Sequence, residues 1–319
     1  MRSLQLALLV SLLNLTLATA QDWPAKTVRV IVPFGPGSTP DLVGRLVADH
    51  MQQQLGQSFV IENRPGASAN IGTDLVAKAE PNGYTIGISL GGPLAINTLL
   101  FARMPYDPAR DLALISMLAT QPSVLVVNPT LGVTSVGELI AVLKKNPGKY
   151  NYASIGNGSL SHLAMEAIAL KSGTRMVHVP YPGSPQAVTA VLRNDVQMAC
   201  MPAISVIPHV AGGQLTVLAQ SLGRRSSLLP DYPTLQEAGI DVEADAWNGL
   251  IAPARTPEPI VNRIHDLVHA ALTDPAVREK LATQYMEPIP NTPAEFRAKI
   301  DNDLARWAPV VKALDLKIN

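Results

Sequence analysis

The sequence predicts an α/β protein with two α/β lobes and a ligand cleft between them, and three observations lead there. Residues 28–47, VRVIVPFGPGSTPDLVGRLV, join an apolar β-run to a glycine-rich turn and then to a helical pattern with Leu42, Val43, Leu46 and Val47 on one face. The same grammar returns at 150–168, YNYASIGNGSLSHLAMEAI, where Gly156-Asn157-Gly158-Ser159 matches Gly35-Pro36-Gly37-Ser38. Strand and helix patterns alternate between and around these units, as they do in parallel sheets. A strand, a glycine turn and a helix start aim free backbone N–H groups at an anion, with the helix dipole behind them. One such loop is a weak signal; two in one chain point to a ligand held between two lobes.

Residues 1–20 read as a secretory signal: Arg2 gives a positive start, 4–17 are mostly apolar, and Ala18-Thr19-Ala20 is an A-x-A-like cleavage site. The run is interrupted by Ser11, Asn14 and Thr16. It is also too short for a membrane span, which needs roughly 20 apolar residues. Cleavage near Ala20 leaves 299 of the 319 residues, enough for two domains with ordinary cores. Lys and Arg total 25, equal to Asp and Glu at 25, and no basic stripe stands out, which argues against nucleic acid as a partner. The single cysteine, Cys200, cannot close an internal disulfide and sits in an apolar run, where a buried, inert thiol is expected.

Along the chain, 57–62 is a strand ended by Pro65-Gly66, 69–79 a short helix, and 84–90 a further strand. Apolar runs at 112–120 and 123–128 flank Gln121-Pro122, the expected crossing into a second lobe. An amphipathic helix is predicted over 135–145, with Lys144 and Lys145 near its end where cations favour the dipole. After the second glycine unit come a strand at 176–180, a helix at 186–192, a strand at 196–201, a helix at 204–211 and a strand at 216–221. Residues 228–239 read as loop then short helix, 247–252 as the strand returning to the first lobe, and 259–272, 275–282 and 292–307 as helices. The predicted partition is lobe I at 21–122 plus 245–319 and lobe II at 123–244.

The catalytic inventory is negative. There is no GxSxG, HExxH or CxxC, neither glycine loop carries the lysine of a phosphate loop, and Pro40 occupies the third position of a would-be GxGxxG. Ser161 and His162 are adjacent on a helix start and do not face each other. The first loop reads as a carboxylate site. Either Thr39 caps the helix with Pro40 at its first position, or Ser38 caps it with Asp41 at the third. Asp41 suits the helix dipole but would repel an anion beside it, so it either caps its own helix or holds water or a ligand's cationic or hydroxyl group.

These residues resemble Bug-type extracytoplasmic solute receptors, the substrate-binding components of tripartite tricarboxylate transporters. The matching segments are IVPFGPGSTPD (31–41), LGQSFVIENRPGASANIG (55–72), PNGYTIGIS (81–89), NPGKYNYASIGNGSLSHL (146–163), HVPYPGSPQAV (178–188), LPDYPTLQEAG (229–239) and WNGLIAPARTP (247–257). The resemblance implies a type II periplasmic-binding-protein fold that closes on its ligand. It also implies that Gly37, Ser38, Thr39 and Asp41 from lobe I face Ser154, Gly158, Ser159 and His162 from lobe II around a carboxylate. Tyr181, Gly183, Met201 and Ala203 would shape the distal pocket.

Three departures bear on ligand identity. Ser38 stands where the family's PFPPGG has a glycine, which predicts a more hindered backbone approach. Pro182 replaces the lysine of VPYKG, and Gln197 replaces the aspartate of GGxVD. The function these readings support is capture of a small carboxylate in the periplasm, without catalysis or cofactor, by a monomer that delivers it to integral-membrane transporter subunits. The alternatives are a sensor passing carboxylate status to a membrane signalling partner and a secreted α/β hydrolase, for which the chain offers no recognisable nucleophile, base and oxyanion set.

Overall fold

The computed structural model describes residues 23–317, so the predicted leader at 1–20 lies outside the described residues. In the first half of the chain come β1 (Val28–Val32), α1 (Thr39–Leu55), β2 (Phe59–Asn63), α2 (Asn70–Ala77), β3 (Thr85–Leu90), β4 (Leu112–Gln121), β5 (Ser123–Val127), α3 (Val136–Lys145) and β6 (Asn151–Ser154). There follow α4 (Leu160–Ser172), β7 (Val177–Pro180), α5 (Ser184–Leu192), β8 (Met198–Pro202), β9 (Thr216–Gln220) and β10 (Ala246–Pro253). The chain closes with α6 (Glu258–Thr273), α7 (Pro275–Ala282), β11 (Glu287–Pro288) and α8 (Pro293–Ala313).

Two sheets organise these elements. The six-stranded sheet runs β11-β4-β10-β3-β1-β2 and the five-stranded sheet β7-β6-β8-β5-β9. Each contains three mutually parallel strands in the order second, first, third: β2-β1-β3 in one, β7-β6-β8 in the other. Beside the third strand each sheet takes an antiparallel strand, β10 or β5, that arrives directly from the other sheet's side of the chain. Only Pro122 separates the end of β4 from the start of β5, so the first crossover is as short as a chain can make it.

The strands' own residues explain their place. Val28, Val30, Ile31 and Val32 of β1 are all buried, as a central strand covered on both faces requires. In β5, Val124 and Val126 join one apolar cluster while Leu125 and Val127 join another, the two-residue alternation of a strand packed on both sides. One face of the first sheet, Val30, Val32, Ile86, Ile88 and Leu250, receives Val43 and Val47 of α1 and Ile264 and Val268 of α6. Its other face holds Trp247 and Phe296, ring centroids 5.5 Å apart. Their edge-to-face arrangement is the one the ring quadrupoles favour.

Helix α8 ties the two halves together. Phe296 and Ile300 pack on the first sheet, whereas Trp307, Val310 and Val311 join the cluster built on Leu125, Tyr152 and Leu163 of the second. The sequence predicts this helix only to 307; it continues to Ala313 through Pro309, because apolar contacts on both sides of the proline offset the missing backbone bond.

Two other expectations fail locally. The helix predicted over 204–211 is one turn, Ala203–Val206, followed by a 3₁₀ turn at Ile207–His209, since Pro208 cannot extend the first. The short helix predicted within 228–239 is a single turn: Thr234 and Glu237 exchange capping bonds, and Gly239 at φ 89° ends it. Helix α2 starts at Asn70 rather than 69 because Ala67, Ser68 and Ala69 all have positive φ.

Candidate functional site

The two glycine turns fold alike. Gly37 and Gly158 have φ of 78° and 72°. L-residues rarely enter that region. The next residue returns to extended geometry in both, Ser38 at φ −71° and ψ 159°, Ser159 at φ −65° and ψ 158°. Each serine hydroxyl donates to the carbonyl three residues back, Ser38 to Gly35 and Ser159 to Gly156, both at 2.7 Å. Each serine carbonyl accepts the first helical bond, from Leu42 and from Leu163.

Ser38 is therefore the backbone cap of α1, with Thr39 at the first position, Pro40 at the second and Asp41 at the third. Its φ is one any residue adopts, so the serine in place of the family glycine costs no backbone strain. Among the described residues, no protein acceptor falls to the N–H groups of Thr39 and Asp41 at the start of α1, nor to those of Leu160 and Ser161 at the start of α4. Two helix starts, each with unpaired donors, suit a small anion such as a carboxylate.

Asp41 does not offer its charge outward. The side chain is buried, one oxygen accepts from the Gly37 N–H at 2.9 Å and from Arg45 Nε at 3.0 Å, and the other accepts from Arg45 Nη2 at 3.0 Å and Asn63 Nδ2 at 2.9 Å. Burial opposes its ionisation, yet Arg45, Asn63 and the Gly37 amide together hold its carboxyl below the ordinary range. The repulsion foreseen from the sequence is thus neutralised by Arg45, four residues on along α1.

In the second loop a neutral group does the same task. His162 Nδ1 accepts from the Gly158 N–H at 3.0 Å, and its ring stacks on His178 with centroids 3.9 Å apart and planes within 8°. Tyr152 extends the stack beyond His178 and donates its hydroxyl to Glu166. Burial, with the neighbouring His178 adding to it, pushes the His162 imidazole down to about 4, and burial lowers His178 as well. His178 Nε2 lies 2.6 Å from Ser154 Oγ, and Ser154 also takes the Gly156 N–H at 3.1 Å.

Of the residues singled out in the sequence, Gly37, Ser38, Thr39, Gly158, Ser159, Tyr181 and Gly183 keep accessible surface, whereas Asp41, Ser154, His162, Met201 and Ala203 are buried. The Tyr181 turn is brought to the second loop by its N–H, which donates to the Ser154 carbonyl at 2.9 Å. Ala203 is drawn to the crossover by its own N–H, bonded to the Pro122 carbonyl at 2.9 Å. Met201 packs into the core of the second sheet. Sequence reasoning missed Arg45, Asn63, Ser161 and His178. Arg45 was legible as an i,i+4 partner of Asp41; Ser161, which takes the Ile155 N–H, was not. Cys200 is buried, which pushes its thiol up to about 12 and leaves it unreactive.

The pattern defining the family described as Tripartite tricarboxylate transporter family receptor matches residues 43–316. Protein BugT of Bordetella pertussis is 36% identical over 302 residues, covering 94% of this chain and 93% of its own length. Among solved structures, an R. palustris protein with adipate is 33% identical with a TM-score of 0.82, covering 93% of this chain and 99% of its own. MatC from Rhodopseudomonas palustris with bound malate is 29% identical with a TM-score of 0.77, covering 91% of this chain and 99% of its own. Fold, paired loops and full-length similarity agree: this chain belongs to the tripartite tricarboxylate transporter receptor family, whose two-lobed architecture is that of type II periplasmic binding proteins.

Proposed function

We propose that the chain captures a small carboxylate between its two lobes in the periplasm and delivers it to the integral-membrane subunits of a tripartite transporter. The observation that carries this reading is the pair of matched helix starts. Thr39 and Asp41 on one side and Leu160 and Ser161 on the other supply N–H groups without internal acceptors. Full-length relatives with bound adipate and malate are in keeping with a carboxylate at such a site. In this reading Gly37, Ser38, Thr39, Gly158 and Ser159 form the mouth of the clamp, and Tyr181 and Gly183 shape the far end, with Ala203 packed in the core of the second sheet. Asp41, Ser154 and His162 act from beneath by fixing the loops.

Lobe I then comprises 21–122 and 245–319 and lobe II 123–244, hinged at Pro122 and near Asp245, with a leader removed near Ala20. Catalysis is not part of the proposal. Ser154 and His178 are in hydrogen-bond contact, but Ser154 Oγ is already engaged by His178 and by the Gly156 N–H and carbonyl, which makes it a pin of the loop rather than a nucleophile. Titration calorimetry of the purified receptor against a panel of organic acids tests the reading, alongside mass spectrometry of ligand carried through purification. Micromolar or tighter binding of a carboxylate, weakened by replacing the 37–39 or 158–159 loops, is the expected result. No binding across the panel, or binding indifferent to both loops, would overturn it.

A further inference from the structure

Two buried polar atoms lie at the crossovers with no partner: Gln121 Nε2, at the end of β4, and Asn248 Oδ1, near the start of β10. Each residue is only 3% exposed. A buried donor or acceptor left unpaired keeps its full desolvation penalty, so such atoms are rare unless something else satisfies them.

Strand register places them together. Asn248 stands opposite Ala119, and Ala119 and Gln121 are two residues apart on β4, so Gln121 and Asn248 share one face as diagonal neighbours. That face carries Leu250, Ile88, Val32 and the α1 residues Val43 and Val47. Asn248 also pairs with Leu90, the last residue of β3, so both amides sit at the carboxyl edge of the parallel strands. This is the edge and the face on which α1 begins with its unpaired N–H groups. Ligands of open α/β sheets bind beyond that edge.

We propose that Gln121 and Asn248 form a hydroxyl-reading pair at the floor of the cleft, which makes the ligand a hydroxycarboxylate rather than a plain one. This rests on the carboxylate reading given above. A ligand hydroxyl accepts from the Gln121 amide N–H and donates to the Asn248 carbonyl, one donor and one acceptor matched by the one group that is both. The α1 and α4 starts hold the carboxylate, while the amide pair selects the substituent.

The test is calorimetry of the full-length secreted receptor with acids that differ by one hydroxyl: malate and succinate, lactate and propionate, citrate and tricarballylate, phenyllactate and phenylpropionate. The wild-type protein should prefer the hydroxylated member of at least one pair by about tenfold or more, since a site built to hydrogen-bond a hydroxyl discriminates against its absence. Gln121→Met and Asn248→Leu should each bring that ratio close to one, through loss of affinity for the hydroxylated acid. Neither should lower the melting temperature of the ligand-free protein, because each removes an unpaired atom. A wild-type ratio near one overturns the proposal without needing any variant. So does a preference that survives both substitutions, or variants that melt lower with the preference intact, which would mean the two amides serve only each other. If plain and hydroxylated acids all fail to bind, the carboxylate reading falls and takes this proposal with it.

Discussion

Asp41 and His162 occupy the same place in the two lobes: each lies four residues after its positive-φ glycine and accepts that glycine's N–H, at 2.9 Å from Gly37 and 3.0 Å from Gly158. One is an anion cancelled by Arg45, the other a neutral imidazole. Both clamp the turn from below and leave the following helix-start amides free. Asp41→Ala should therefore destabilise the fold by about 2 kcal/mol, since a buried group that binds two side chains and an amide is lost and one Asn63 Nδ2 hydrogen loses its acceptor, the other staying on the Phe34 carbonyl. Asp41→Asn, which keeps the shape, should cost less. Urea unfolding followed by circular dichroism measures both; an unchanged midpoint for Asp41→Ala would remove the clamp role.

The glycines and the serine beside them should respond oppositely. Gly37→Ala and Gly158→Ala place L-residues at the positive φ of these turns. The left-handed region costs an L-residue about 1–2 kcal/mol, and each change should also weaken ligand binding by moving the helix start. No atom lies within 4 Å of a Cβ built on Gly37, so the penalty there is in the backbone alone. Ser38→Gly, by contrast, loses one hydroxyl bond to Gly35 at a residue whose φ is ordinary. Its cost should be only a few tenths of a kcal/mol. Thermal melts of the three variants with and without ligand separate the two cases.

The imidazole stack sets a pH dependence of definite sign. His162 is lowered from 6.5 to about 4 in the folded protein. Between those values the unfolded chain binds a proton that the folded one does not. This contribution is absent above pH 6.5 and becomes increasingly destabilising as the pH falls through the window, levelling off below about 4. His178 shifts in the same direction and adds to it. Unfolding midpoints measured across this window from neutral pH downward should fall, and His162→Gln should flatten the fall. An equal slope in the variant would show that the stack is not its source.

Trp307 is the residue at which α8 reaches the core of the second sheet, and it is 2% exposed. Trp307→Ala should cost about 3–5 kcal/mol, the usual range for emptying a buried aromatic site. Because the helix's first half packs on the other sheet, through Phe296 and Ile300, the loss should also loosen the coupling of the lobes. Small-angle scattering should then show a broader ligand-free ensemble than wild type, and hydrogen exchange should rise at 307–313 before it rises at 293–300.

The repeated strand, glycine turn and helix units, the alternation that makes the core of each sheet parallel, and the family are all legible in the residues alone. These are local properties: a positive-φ turn needs Gly37 and Gly158, and an apolar run such as SVLVV has few uses other than a buried strand. Whatever required distant partners was settled by the folded chain. Asp41 is satisfied by Asn63, far beyond the end of its own helix, and so could not be assigned from that helix. His162 of α4 stacks on His178 of β7, and Gln121 lies diagonally beside Asn248 because β10 returns to the first sheet beside β4. Where local periodicity misled, at 204–211 and 228–239, it was outweighed by Pro208 and by Gly239. At Pro309 the balance went the other way: packing against two lobes carried the helix through a residue that breaks helices in isolation. Local sequence sets which conformations are cheap, and the burial of each segment against the rest of the chain decides which of them is kept.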